Sequence, residues 1–181
     1  PIEGEISEAQ FLILRRAMKA AEKAGASGLV VNMDTYGGSL QAAVKILNLL
    51  LETPLPTATW VNTNAGSAGA LIALGTKKII MAPVSAIGAA APVLGGGQEV
   101  PETMNAKIVS YYSGYFRSAA EKNGYNPELA VAFINKEKEV KIGDKEISAK
   151  GDLLTLSAQE AVREFDGKPL LASGIAQNQT Q

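Results

Sequence analysis

Apolar residues along the first half of the chain fall alternately into short runs and helical stripes. Ile2 to Ile6 reads as a short strand, and Ser7 followed by Gln10 is a capping-box pattern that opens a helix. In that helix Phe11, Leu14, Ala17, Met18 and Ala21 share one face, Arg15, Arg16, Lys19 and Glu22 supply the wet one, and Gly25 ends the run. Gly28 to Met33 is expected to be a buried strand ending in Asp34-Thr35-Tyr36-Gly37-Gly38. From Ser39 a second amphipathic helix carries Leu40, Val44, Leu47 and Leu51 on its apolar face, until Pro54 and Pro56 break it. Thr57 to Asn62 forms the next strand. Asn64-Ala65-Gly66 then leads into a small-residue helix from Ser67 to about Gly75, and Lys78 to Ala82 adds a further strand. Strands alternating with helices predict an α/β fold built on a largely parallel sheet with right-handed crossovers.

The second half has a different rhythm. A long helix is expected over Glu102 to Lys122 and a short one after Asn126-Pro127. Alternation from Glu139 to Ala149 around Gly143-Asp144 predicts a small hairpin within an added segment of about residues 137–156. Ser157 with Glu160 caps another helix, residues 168–176 return a last short strand, and residues 177–181 form a frayed tail. No internal repeat is visible. At 181 residues the whole is read as one domain with its own core.

Composition narrows the chemistry. The sequence holds neither cysteine nor histidine, so disulfides, thiolate nucleophiles, Cys-based zinc sites and a Ser-His pairing are all excluded. With 17 basic and 18 acidic side chains and no basic cluster, nucleic acid is not an expected partner. No signal-peptide pattern opens the chain. Its longest small-apolar stretch, Ala68 to Gly97, is interrupted by Lys77 and Lys78 and by glycines and prolines, so it is not read as a membrane span. The chain is expected to be a soluble domain, excised or processed from something longer.

Gly66-Ser67-Ala68-Gly69-Ala70 supplies a tight strand-to-helix turn of the kind that exposes a nucleophilic serine beside free backbone N–H groups. Gly66 permits the turn, and Ala68 and Gly69 leave room for a substrate backbone. A plain N-cap serine in front of a closely packed helix fits the same residues. Gly37-Gly38, at the end of the preceding strand, offers further N–H groups to an oxyanion or an extended peptide, or forms an ordinary turn. Without histidine the base is sought among lysines and carboxylates, and a neutral lysine can activate a serine. Lys107 is the only charged residue from Thr103 to Phe116 and borders Met104, Ile108, Tyr111 and Tyr115, whereas Lys45 groups with Gln41, Asn48 and Glu52 on a solvated face. Working near neutrality requires a lysine to fall about 3 units below its reference value of about 10.4, which partial burial against aromatic rings supplies. A surface lysine whose stem covers Tyr111 is the competing picture.

These residues together resemble the N-terminal protease domain of NfeD-type membrane proteins, within the ClpP/crotonase superfamily. The likeness runs over nearly the whole chain. It rests on Asp34-Thr35-Tyr36-Gly37-Gly38, on Gly66-Ser67-Ala68-Gly69, and on Met81-Ala82-Pro83 with Ile87-Gly88-Ala89. The resemblance implies Ser67 as nucleophile and Lys107 as base, with Gly37 or Gly38 and Ala68 at the oxyanion positions. It implies no cofactor. It further implies an extracytoplasmic domain tethered to transmembrane helices, assembled as a dimer or larger homo-oligomer, that cleaves an apolar segment of a stomatin-like membrane partner. Tyr36, Gly66 and Gly69 are then expected to border the substrate. Tyr36 replaces the proline usual before the glycines, and the Glu139 to Leu154 segment is an addition.

Three other readings stay open on the sequence: a signal-peptide peptidase of the SppA type, a crotonase-like acyl-CoA enzyme, and a non-catalytic scaffold. ClpP chemistry itself needs a histidine that this chain lacks.

Overall fold

The Ser7 side chain accepts a hydrogen bond from the Gln10 N–H and opens α1 (Glu8–Lys23) directly behind β1 (Ile2–Ile6). The same unit recurs along the computed structural model, which describes residues 1–93 and 100–179. β2 (Leu29–Gly38) leads to α2 (Leu40–Glu52), which is capped by Ser39, and β3 (Thr57–Gly66) leads to α3 (Ala68–Leu74). β4 (Lys78–Met81) and β5 (Ala86–Gly88) follow. Residues 94–97 of the small-apolar stretch and 180–181 of the expected tail lie outside the described residues.

Beyond them come α4 (Glu102–Asn123), closed by Gly124 in a left-handed conformation, and α5 (Pro127–Ala132), capped by Asn126. The expected hairpin is present as β6 (Val140–Ile142) and β7 (Lys145–Ser148), turning at Gly143 with φ 60°. β8 (Thr155–Ser157) precedes α6 (Ala158–Ala161), where Ser157 and Glu160 form the full capping box. A two-residue ladder of β9 (Glu164–Phe165) with β10 (Lys168–Pro169) leads to β11 (Gly174–Ile175).

The main sheet runs β1-β2-β3-β4-β11, all parallel. When sequence neighbours are also sheet neighbours and every crossover is right-handed, the connecting helices all fall on one face. Burial along β2 agrees: Val31, Met33 and Thr35 are buried, whereas Val30 is 53% exposed and Tyr36 85%. This corrects the expectation of a strand buried on both faces. The apolar run at residues 29–31 hides a period of two. α2 also departs from its expected stripe. Ala42, Ala43, Ile46, Leu47 and Leu50 are buried, while Leu40, Val44 and Leu51 form the flank of the core, because the helix packs against α3 and α4 as well as the sheet.

β3 is longer than its apolar pattern because it serves two partners. Ala58–Val61 pair with β4, and Asn64–Gly66 pair with β5. β8 binds β5 antiparallel from its other side. Neither β5 nor β8 was expected, since three residues are too few for an alternation to register. α3 lies at the centre with all seven residues buried, surrounded by Met33, Ile46, Met81, Phe116 and Phe133. Burying each of these larger side chains contributes roughly 1.5–3 kcal/mol.

Ser67, between β3 and α3, has φ 53° and ψ −118°, and is one of three described non-glycine residues with positive φ. Such a conformation costs on the order of 1–3 kcal/mol and persists only where its surroundings impose it. Here the Ser67 N–H donates to the Gly88 carbonyl at 2.8 Å. Gly88 has φ 133°, and a Cβ on it would lie 2.3 Å from the Leu154 carbonyl oxygen. The next N–H groups, of Ala89 and Ala90, donate to the carbonyls of Leu154 (2.9 Å) and Phe133 (2.6 Å).

Two outcomes follow. Ser67→Gly, which relieves the strain, unfolds later in denaturant than Ser67→Ala by on the order of 1 kcal/mol. At the capping box, the Ser157 N–H and then its hydroxyl hold the Glu160 carboxyl below the usual carboxylate range. A depressed carboxyl stabilises above the ordinary carboxylate range, and that contribution is lost as pH falls through the depressed value. Urea melts of wild type and Glu160→Gln therefore differ at neutral pH and converge once the pH lies below the depressed value.

Candidate active site

Four described N-cap side chains, those of Ser7, Ser39, Asn126 and Ser157, accept hydrogen bonds from the first turns of their helices. Ser67 occupies the same position before α3 and makes no such bond. The reading of Ser67 as an ordinary cap therefore fails, and its half-buried hydroxyl is left for other chemistry. Its own N–H is bonded to Gly88, whereas the N–H groups of Ala68 and Gly69, in the first helical turn, have no intrahelical acceptor.

The end of β2 presses against this turn. A step of two along β2, from Met33 to Thr35, matches a step of four along β3, from Val61 to Ala65, and the ladder to β1 slips at Gly4. Irregular pairing of this kind re-aims a strand end. A Cβ on Gly37 would lie 2.6 Å from the Ser67 Cβ and 3.1 Å from its Oγ, one on Gly66 3.3 Å from the Tyr36 Cα, and one on Gly69 2.6 Å from the Thr35 Cγ2. Gly37, Gly66, Ser67 and Gly69 are thus brought together, with Ala68 between the last two. Gly38 is glycine for another reason: at φ 148° its Cβ would meet the Ile6 backbone at 2.4 Å. Of the two glycine N–H groups expected at the site, that of Gly37 donates to Thr35 Oγ1 at 3.0 Å. Tyr36, on the open face of the sheet, exposes its ring beside these glycines.

Lys107 is exposed on the first half of α4, and among the described residues it makes no ion pair or hydrogen bond. The face buried by α4 carries Ser113, Phe116, Ala119 and Ala120, while Met104 is 48% exposed and Tyr111 62%. Among the described residues the aromatic shelter expected for Lys107 is therefore not seen. Tyr111, Tyr112 and Tyr115 cluster with one another instead, with Tyr111 and Tyr115 hydroxyls 3.3 Å apart. Lys45 is solvated as expected, paired with Glu8 at 2.8 Å. Lys78 pairs with Ala58 at the opening of β3, the end of the strand remote from Ser67. A groove of about 360 Å³ lies between α2 and α4, lined by residues such as Leu47, Leu51 and Tyr115, away from the glycines.

Three contributors were missed in the sequence. Thr35 is buried under the loop, Gly88 fixes the Ser67 backbone, and Asn64 Nδ2 donates to Asp34 Oδ1 at 3.1 Å across the two strand ends. Thr35 was foreseeable, since two-residue alternation from Met33 places it on the covered face. Gly88 was not, because its partner Leu154 is 66 residues away in sequence.

A family model described as NfeD1b, N-terminal domain, matches residues 1–167. The membrane protein NfeD1b of Bacillus subtilis is 35% identical over 163 residues, covering 90% of this chain and 36% of that protein. The membrane-bound protease PH1510 of Pyrococcus horikoshii is 33% identical over 144 residues, covering 75% of this chain and 32% of the other. The chain thus spans about a third of the length of these relatives. Among solved structures, a serine-to-alanine mutant of the 1510-N membrane-bound stomatin-specific protease superposes with a TM-score of 0.78 at 27% identity, covering 99% of this chain and 78% of that one. ClpP1 of Listeria monocytogenes shares the fold, with a TM-score of 0.66 at 16% identity over 99% of this chain and 91% of its own. On the match that takes in residues 1–167, and on the curated relatives, the chain belongs to the NfeD1b N-terminal domain family.

Proposed function

We propose that this chain is a serine endopeptidase domain in which Ser67 is the nucleophile and Lys107 the general base. The observation that carries the reading is the uncapped Ser67 hydroxyl, held at a strained strand-to-helix turn beside Gly37. The relatives support it. PH1510 is named a membrane-bound protease, and one solved structure of the 1510-N protease is a lysine-to-alanine mutant with a substrate peptide. The serine and lysine replaced in those mutants are separated in sequence by nearly as many residues as Ser67 and Lys107.

In the proposed reaction Ser67 Oγ attacks the carbonyl carbon of an extended peptide and its proton passes to the neutral Lys107 Nζ. The oxyanion is met by the N–H groups of Gly38 and Ala68. The lysine ammonium returns the proton to the departing amine, and water then hydrolyses the acyl-enzyme. Tyr36 borders the substrate, and Gly66 and Gly69 let its backbone come close. Lys107, exposed in the single chain, is enclosed when substrate or a second copy covers the neighbouring Met104 and Tyr111. The domain accordingly acts as a homo-oligomer, tethered to the membrane on its extracytoplasmic side, on an apolar segment of a stomatin-like protein. No described helix is itself long and apolar enough to cross a membrane.

The exposed lysine favours one competitor, a non-catalytic scaffold. Labelling by a fluorophosphonate separates the two without a known substrate. Wild type labels, Ser67→Ala does not, and Lys107→Ala labels at least about 10²-fold more slowly, the usual worth of a general base. The pH dependence of the wild-type rate is lost in Lys107→Ala. An inert wild type, or a Lys107→Ala variant with an unchanged profile, removes the dyad and leaves the scaffold.

A further inference from the structure

We infer that Thr35 is the positioning residue of this site, committing the Gly37 N–H and thereby leaving Gly38 to face the reacting carbonyl. The inference rests on the reading of Ser67 as a nucleophile and adds a residue to it. Thr35 is 1% exposed, and its hydroxyl joins β1 to the end of β2. It donates to the Gly4 carbonyl on β1 and accepts from the Gly37 N–H at 3.0 Å. The Gly37 carbonyl oxygen also lies 3.2 Å away, but one hydroxyl proton serves only one acceptor, and Gly4 is the nearer. On its other side the Thr35 methyl fills the space that Gly69 leaves open, two residues beyond Ser67.

That bridge fixes which glycine is free. The Ser39 N–H donates to the Ile6 carbonyl at 2.9 Å, toward β1. The Gly37 carbonyl lies on the same side, beside the Thr35 hydroxyl, and across a trans peptide the Gly38 N–H points the opposite way, toward the strand that ends at Ser67. The Gly37 N–H, on the β1 side, would be a buried orphan without Thr35, and folded proteins rarely leave a buried donor unpaired. Threonine answers both needs at once, with a hydroxyl for the loop and a methyl for α3. Valine keeps the shape and removes the hydroxyl, and serine does the reverse.

The test compares wild type, Thr35→Val and Thr35→Ser by amide hydrogen exchange of ¹⁵N-labelled protein and by turnover of a fluorogenic apolar peptide. The expected wild type protects Gly37 and exchanges Gly38 rapidly. Thr35→Val loses the Gly37 protection and falls about 10- to 100-fold in kcat with KM unchanged, the scale of a small misplacement of catalytic groups. Thr35→Ser keeps both properties close to wild type while its melting temperature falls through loss of the methyl contact. Gly37 protection surviving in Thr35→Val overturns the inference, and so does equal loss of kcat in both variants. If wild-type Ser67 is inert, the nucleophile reading falls on its own, and the exchange comparison still decides whether Thr35 holds the loop.

Discussion

No β-carbon fits between the end of β2 and the turn that follows β3, and the rest of the site depends on that contact. Side chains at Gly37 or Gly69 would overlap Ser67 and Thr35 at 2.6 Å, closer than atoms of a folded protein come. The irregular pairing at Asp34 and at Asn62–Asn64 accommodates the change of course. A serine held in such a place cannot also relax into a helix cap, which is why four other cap residues bond their helices and Ser67 does not.

Much of this architecture was legible in the residues, because its signals are local. Ser7, Ser39, Asn126 and Ser157 announce four helices, and Gly143-Asp144 announces the hairpin. The strand ends were read too short because apolar content falls away at Asp34 and Asn62 while the ladder continues on backbone bonds alone. β5 and β8 escaped notice for a related reason, their identity lying in a partner strand and not in any pattern of their own. Within the site, the glycines and Ser67 stand together as expected. For Lys107 the residues left two pictures open, sheltered or exposed, since helical spacing groups it with Met104 and Tyr111 but cannot say whether that face is covered, and among the described residues it is exposed.

The absence of histidine shapes how the site can be poised. Imidazole changes charge near neutrality without special surroundings, but a lysine does so only after losing water. A serine site built on lysine therefore separates its fixed part from its conditional part. In the dyad proposed above, the described residues supply the backbone around Ser67, Gly37 and Gly88, and the dehydration of the base is left to whatever covers the exposed Met104 and Tyr111.

The clamp on Ser67 also sets an order of events in folding. The Ser67 N–H is held by Gly88, which is hemmed in by Leu154 on the strand that pairs with β5. β1 to β4 and their helices close through short crossovers, whereas this last link joins Gly88 to Leu154, 66 residues later, and must wait for a larger loop to close. During synthesis the first half can assemble its sheet while the serine turn is still unstrained. The hydroxyl reaches its final orientation only once the C-terminal third has docked, so a nascent or truncated chain presents the fold without a finished turn.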